Sequence, residues 1–206
     1  MMELFISKYC VLNNRQLSVN GEMVYENREG ATDSEFLSAA YRRFGMGYPK
    51  FFKMDHLSKT GFIVTEMLLK DTALFGVEPK RETAVVFSNR NSSLDTDENY
   101  QETIGKDYFP SPSVFVYTLP NIVMGEVCIK HKIFGENTFF VSDELEVEHI
   151  FTYVNQLFEQ TETENALVGW VDYYDGKAEA LVWLVEKQKG IKLFNITELY
   201  NLKSFL

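Results

Sequence analysis

Cysteine is scarce in this 206-residue chain. Its two, Cys10 and Cys128, are too few for a disulfide framework. Histidine occurs three times, at His56, His131 and His149. None forms a metal-ligand pattern with the cysteines, and none stands beside a Ser or Cys at a spacing diagnostic of a triad. All three read as surface or partly buried side chains, and both cysteines as core packing within a strand and a helix. Long apolar runs are missing as well. The longest, such as Ala166 to Val171, fall far short of the roughly 20 residues that span a bilayer. Met1 to Cys10 has no charged-then-apolar-then-small pattern of a secretory signal, so the expected compartment is cytoplasmic. Basic residues are outnumbered 20 to 30, giving a net charge of −10, which argues against nucleic acid as the main partner. Arg42, Arg43, Lys50, Lys53 and Lys59 cluster in sequence but read as ordinary solvated surface. Internal repeats and low-complexity segments are absent.

Apolar residues, by contrast, are plentiful. Hydrophobic side chains make up 45% and aromatics 15%, enough to bury a substantial core. Residues 1–206 are therefore read as a single domain.

Periodicity places the elements. Residues 3–12 read as a first strand, followed by a polar turn from Asn13 to Asn20. A polar connection from Glu22 to Gly30 holds a short extended piece at Met23 to Tyr25. Asp33 is expected to cap a helix with Phe36, Leu37, Ala40 and Tyr41 on one side. Asp55 is expected to cap a second helix, with Leu57, Gly61, Val64 and Leu68 on one face. Thr83 to Ser88 is short, apolar and β-rich, as a central strand should be. A helix is expected from 96 to 105 and an extended piece from Val114 to Tyr117. Pro120 then opens a helix carrying Ile122, Gly125, Cys128, Ile129 and Ile133, which Gly135 stops. Thr138 to Val141 reads as a short buried strand. Ser142 is the expected N-cap of the next helix, with Asp143 and Glu144 at its positive end.

That helix divides cleanly. Val147, Ile150, Phe151, Val154, Leu157 and Phe158 form an apolar stripe. Glu144, Glu148, Thr152, Asn155, Gln156 and Glu159 form the opposite face. Ala166 to Tyr173 and Ala178 to Glu186 read as antiparallel strands joined at Asp175-Gly176. Lys192 to Asn195 is extended, and Thr197 caps a last helix.

Asn121, Gly125, Ile129, Gly135 and Asn137, placed before a strand that leads into a helix, form a spaced pattern. Met54, Asp55, Ser58, Lys59 and Gly61 form another upstream. Ser88, Ser92 and Ser93 follow a strand, and Leu167, Val168, Gly169 and Asp172 end one. In this order the segments resemble the N-terminal half of the β-ketoacyl-acyl-carrier-protein synthases, which have the thiolase fold. The resemblance runs from about Leu4 to Glu186. It implies an α/β half-fold with a mixed, mostly parallel five-stranded sheet and helices on both faces. It also implies that the strand at Thr138 to Val141 pairs across a dimer axis, and it brings no cofactor.

In that family the strand ends at a nucleophilic cysteine that opens the next helix. Here that position falls on Glu144, or on Asp143 with a one-residue shift. A carboxylate is a poor acyl acceptor there. The family's two catalytic histidines belong to the half without a counterpart in this chain. The resemblance therefore implies a non-catalytic relative that partners a complete ketosynthase and an acyl carrier protein, as a homo- or hetero-dimer. The alternative is an acyl-thioester-processing enzyme that uses Glu144 or Asp143 as base, with Ser142 or a histidine nearby. A binding module that keeps only an acyl groove is a third reading. The two-sided helix after Glu144 predicts a three-layer unit that stands without a second half.

Overall fold

The structure is a computed structural model that describes residues 3–27, 32–75, 78–105, 110–188 and 190–206. Among the described residues the chain forms eight strands and seven α-helices. In order these are β1 (Phe5–Asn13), β2 (Gln16–Val19), β3 (Glu22–Glu26), α1 (Asp33–Arg43), α2 (His56–Leu69), β4 (Thr83–Asn89), α3 (Leu94–Gly105), α4 (Pro112–Phe115), α5 (Ile122–His131), β5 (Asn137–Val141), α6 (Val147–Gln160), β6 (Asn165–Tyr174), β7 (Lys177–Glu186), β8 (Lys192–Leu193) and α7 (Ile196–Lys203).

Two-residue turns build much of the sheet. Asn14-Arg15, Asn20-Gly21 and Asp175-Gly176 all have positive φ at both residues. Such turns twist with the strands they join and set the β1–β2, β2–β3 and β6–β7 hairpins. The segment from Asn13 to Asn20 therefore contains a whole strand, β2, where the sequence suggests only a turn. Arg28 to Gly30, the end of the expected polar connection, lie outside the described residues.

The strands form one sheet in the order β3-β2-β1-β7-β6-β4-β5, with β8 added beside β1. The expected α/β class and mixed sheet hold. The expected five strands do correspond to a run, β1-β7-β6-β4-β5, but the hairpins extend it to eight. Nor is the sheet mostly parallel: only β4–β5 and β4–β6 run parallel. The reason is local. Tight turns can join only antiparallel neighbours, whereas the parallel pairs need the helical crossovers through α3–α5 and α6.

Helices cover both faces. On one, α1, α2 and α5 bury Phe36, Leu37, Phe62, Val64, Val123 and Val127 against Leu12, Val85, Phe87, Leu167 and Val182. On the other, α6 and α7 bury Ile150, Val154, Phe158, Leu199 and Leu202 against Ile6, Val86, Val168 and Trp183. Strand β4 is buried at every residue because it lies beneath both layers.

Helix α2 starts as expected, with Asp55 accepting a hydrogen bond from the Ser58 N–H. It is buried all round from Thr60 to Leu69 rather than on one face. A Cβ on Gly61 would come 2.3 Å from Val123 Cγ2, so this glycine sets how closely α5 approaches. Helix α1 is capped one residue earlier than expected. Thr32 and Glu35 form a reciprocal capping box there, while Asp33 accepts from the Ala178 N–H. Asn195, not Thr197, caps α7 by accepting from the Glu198 N–H. Pro112–Phe115 is a helical turn instead of the expected extended piece.

Helix α5 differs from its expected face. Its buried side is Val123, Met124, Glu126, Val127 and His131, whereas Ile129 is exposed. The helix is oriented by α2 through the Gly61–Val123 contact, not by the stripe that includes Ile129. It ends at Lys132, held at φ 55, rather than at Gly135. Gly135 serves a different purpose, since a Cβ there would lie 2.3 Å from the Thr83 carbonyl oxygen. It allows the chain to cross the start of β4 before entering β5.

Strand β5 is the edge of the sheet and only partly covered, not a buried strand. Helix α6 has the expected dry stripe, with Phe151 half-buried. Glu148, Thr152, Gln156 and Glu159 are exposed, and Asn155 is half-buried.

Candidate functional site

The three parallel strands β4, β5 and β6 end on the same side of the sheet. A crevice beyond carboxyl strand ends is the usual ligand site of such α/β arrangements. Here it is built by residues 89–93 after β4, 142–146 after β5, and 172–175 at the end of β6.

Side chains and backbone fasten these loops together. Asn89 both accepts from the Ser92 N–H and donates to the Ser92 carbonyl, at 2.9 and 2.8 Å, around a Ser92 held at φ 51. The Ser142 N–H donates to the Asn89 carbonyl at 3.0 Å, and Arg90 Nε donates to the Asp143 carbonyl at 2.6 Å. Asn91 donates to Asp172 through both its backbone N–H and its amide, at 3.2 and 2.6 Å. Between the β5 loop and α6 lies a cavity of about 280 Å³ lined by Ser88, Phe140, Ser142, Glu146, His149 and Ile150.

The cross-strand register sets Asp172 directly opposite Glu179. Two like charges facing each other repel. Burial holds both carboxyls above the usual range, against the hydrogen bonds from Asn91 and from Trp170 Nε1. Asp172 adds to the effect on Glu179, and Arg90 opposes it for both. A carboxyl whose folded pKa is raised binds its proton more tightly in the native state. Its contribution to stability is thus greatest at low pH and falls as pH rises from the ordinary carboxylate value through the raised one. Glu179→Gln is expected to flatten this fall, because the amide oxygen still accepts from Trp170. Urea midpoints measured from pH 4 to 7 check this. A variant with the parental slope counts against the pairing.

The residues singled out in the sequence fall around this crevice, but not as a helix-terminal charge. Helix α6 begins at Val147 behind Glu146, which makes no side-chain cap. Ser142 is not its N-cap, because its hydroxyl donates instead to the Glu144 carbonyl at 2.8 Å. Asp143 and Glu144 lie in the loop before the helix and are exposed. Glu144 pairs with Lys203 of α7 at 2.9 Å. The helix dipole therefore acts on neither as a first-turn residue. Leu145 turns inward and is fully buried, which spaces the loop from the helix.

Of the histidines, His149 lines the cavity, with its ring edge-on to Phe140 at 4.6 Å. His56 lies elsewhere, paired with Asp95 at 3.0 Å and stacked on Tyr173. His131 is buried beside Glu66. Neither cysteine reaches the site. Cys10 sits in β1 with its thiol pushed up by complete burial, and Cys128, half-buried in α5, is pushed up to about 11 by partial desolvation. Ser88 is buried and its hydroxyl donates to the Gly169 carbonyl at 3.3 Å.

The Asn91–Asp172–Glu179 cluster is absent from the sequence reading. A signal was there: counting back from the Asp175-Gly176 turn puts residues 172 and 179 face to face. Among the described residues no group of three or more His, Cys, Asp or Glu is placed to hold a metal ion.

No family model matches this sequence, and no curated protein matches it. Solved structures do. The ishigamide ketosynthase/chain length factor aligns with 89% of this chain at 15% identity and a TM-score of 0.65. The ketosynthase ApeO in complex with its chain length factor ApeC, from Xenorhabdus doucetiae, aligns with the whole chain at 11% identity and a TM-score of 0.58. A β-ketoacyl synthase from Burkholderia phymatum STM815 aligns with 91% at 10% identity and a TM-score of 0.58. The chain thus has part of the thiolase-type fold of ketosynthases. It spans 62% of the matched ishigamide chain and 60% of the Burkholderia one, but 92% of the chain matched in the Xenorhabdus complex.

Proposed function

We propose that this chain is a non-catalytic, ketosynthase-like accessory protein. It partners a complete ketosynthase and its acyl carrier protein in polyketide-like or fatty-acid-like synthesis. The observation that carries the reading is the loop from Ser142 to Glu146. On this fold it stands where strand passes into helix at the crevice, and it offers three exposed carboxylates, Asp143, Glu144 and Glu146, and no thiol. Claisen condensation needs a thiolate to carry the acyl group, and both thiols lie away from the crevice, Cys10 buried and Cys128 half-buried, each held in its protonated form by desolvation.

Two further observations support a partner role. Similar structures include a ketosynthase/chain length factor and a ketosynthase in complex with its chain length factor. Thr138–Val141 lies on a terminal strand, and Val141 at its end is more than half exposed. An edge strand with its backbone groups open is a ready site for pairing with another chain, here as a homo- or hetero-dimer. No helix of the described residues is long and apolar enough to cross a membrane, and the proposed place of action is the cytoplasm.

The test has two arms. The purified protein mixed with a ketosynthase from the same gene neighbourhood is expected to form a defined complex by native mass spectrometry. Lysine or proline at Phe139 and Val141 is expected to weaken it at least about tenfold. Incubated alone with acyl or malonyl thioesters, the protein is expected to give no turnover. Turnover abolished by Glu144→Gln or Asp143→Asn would instead assign an acyl-thioester enzyme. A strictly monomeric protein that binds no such partner would end the accessory reading.

A further inference from the structure

On the α2 side of the sheet, the start of α2 meets α3 and α4 around a cavity of about 660 Å³. That volume is within the range of small-molecule sites. Met54, Val114 and the ring of Tyr117 give it apolar walls. His56 lines it, with its ring stacked on Tyr173 and its Nδ1 3.0 Å from Asp95 Oδ2. The other ring nitrogen, Nε2, meets no protein group among the described residues, yet it is not sealed in the core.

The other polar groups of the wall are engaged with protein or with water. Asp55 accepts from the Ser58 N–H and from the Thr96 hydroxyl, both at 2.9 Å. The Tyr117 hydroxyl donates to Glu126, the Ser113 hydroxyl pairs with that of Ser111, and the Asn99 amide donates to the Asp95 carbonyl. Lys53 and Asn99 are exposed, so their remaining polar atoms reach water. His56 is half-buried, and its Nε2 is the open hydrogen-bonding atom of the wall. Asp95 sets the chemistry of that atom. A carboxylate can only accept, so Nδ1 carries the proton and Nε2 of the neutral ring presents a lone pair. Hydrogen bonds in such a chain polarise one another, which makes Nε2 a stronger acceptor than in a lone imidazole.

We infer that this cavity binds a neutral phenol-type compound, whose hydroxyl donates to His56 Nε2 while its ring lies against Met54, Val114 and Tyr117. Among neutral hydroxyl compounds a phenol is the more acidic donor, and its ring matches the apolar walls. An aryl ether of the same shape has no proton to give and leaves Nε2 unpaired. An aryl carboxylate likewise brings only acceptors, and it meets Asp55 and Asp95 in the wall. Asp95 is a positioning residue here, acting through His56. This inference does not depend on the accessory role, because neither β5 nor the 142–146 loop takes part.

Probes of one shape, 4-propylphenol, 4-propylanisole and 4-propylbenzoate, are titrated into the intact protein at pH 8, above the ordinary imidazole range, and followed by protein NMR. The phenol is expected to bind with shifts at His56 and Tyr117, and each of the other two to bind about tenfold more weakly or worse. His56→Phe keeps a ring on Tyr173 and is expected to abolish the preference for the phenol over the anisole. Asp95→Asn keeps the shape but no longer fixes the tautomer, since an amide both donates and accepts, and it is expected to cut that preference to about twofold. The inference is overturned if the phenol does not bind, if it shifts only residues elsewhere on the molecule, or if the anisole binds as well as it does. A full preference kept in either variant, shown folded by circular dichroism, overturns it equally.

Discussion

Gly169→Ala is expected to cost about 3 kcal/mol or more and to lower the melting midpoint by roughly 6–12 °C. Gly169 lies in the middle of β6, where β4 flanks one edge and β7 the other. A Cβ there would fall 2.0 Å from the Leu181 carbonyl oxygen and 2.8 Å from the Val182 Cα. Both are backbone atoms of a central strand, so neither can rotate away as a side-chain end could. Relief requires β6 and β7 to separate, which weakens the ladder that carries both cores. Gly125→Ala is the control. It sits in α5 with open space around its Cβ position, and alanine there is expected to be neutral or to gain up to about 1 kcal/mol. Chemical denaturation of both variants gives the contrast. Equal midpoints for the two would contradict the close β6–β7 approach.

The second large effect is expected at Glu126. This carboxylate, 2% exposed on α5, is held by Lys50 Nζ at 2.7 Å and by the Tyr117 hydroxyl at 3.0 Å. The Tyr48 hydroxyl stands farther off at 3.4 Å and contributes little. Burial and the Glu126 charge both keep the Tyr117 and Tyr48 hydroxyls protonated, since their pKa values are pushed up. Glu126→Ala leaves the buried Tyr117 hydroxyl without its acceptor and opens a gap between α5 and the 3-10 turn at Pro49–Lys53. The expected loss is about 2–3 kcal/mol. Lys50 is half-exposed and turns to water, which keeps the loss below that of a fully buried ion pair. Glu126→Gln retains an acceptor for Tyr117 and is expected to lose only about 1 kcal/mol. A double-mutant cycle with Tyr117→Phe isolates the hydroxyl contact, with a coupling near zero counting against it.

These two positions show how unevenly a sequence displays its structure. Gly125 and Gly169 both belong to segments with a recognisable spacing, yet one is spatially free and the other is pinned between strands. Glu126 falls inside a helix whose buried face the apolar residues alone misplace. With Ile129 counted as core, the stripe runs to the wrong side, because a buried carboxylate with three polar neighbours has no apolar signature. The β1–β2–β3 hairpins went unread, because the polar composition of Asn13 to Asn20 hides the short strand β2. The crevice was legible only as an address. Spacing placed Asp143 and Glu144 after a strand read as buried, but it could not say that this strand is an edge or that Leu145 and Glu146 still intervene before α6. Nor could it say that Arg90 and Lys203 would engage that loop.

What the chain's own order of residues determined is the class of structure: a strand-rich α/β fold, a largely apolar central strand, an Asp55-capped helix, a one-sided helix α6, and the lack of a thiol at the crevice. These follow from period, capping chemistry and residue type, which act over a few positions. Only the tertiary structure decided how many strands join the sheet, which face of α5 is dry, where α6 begins, and that Glu66 meets His131. Those outcomes depend on contacts between residues tens of positions apart, whose energies exist only once the layers have packed.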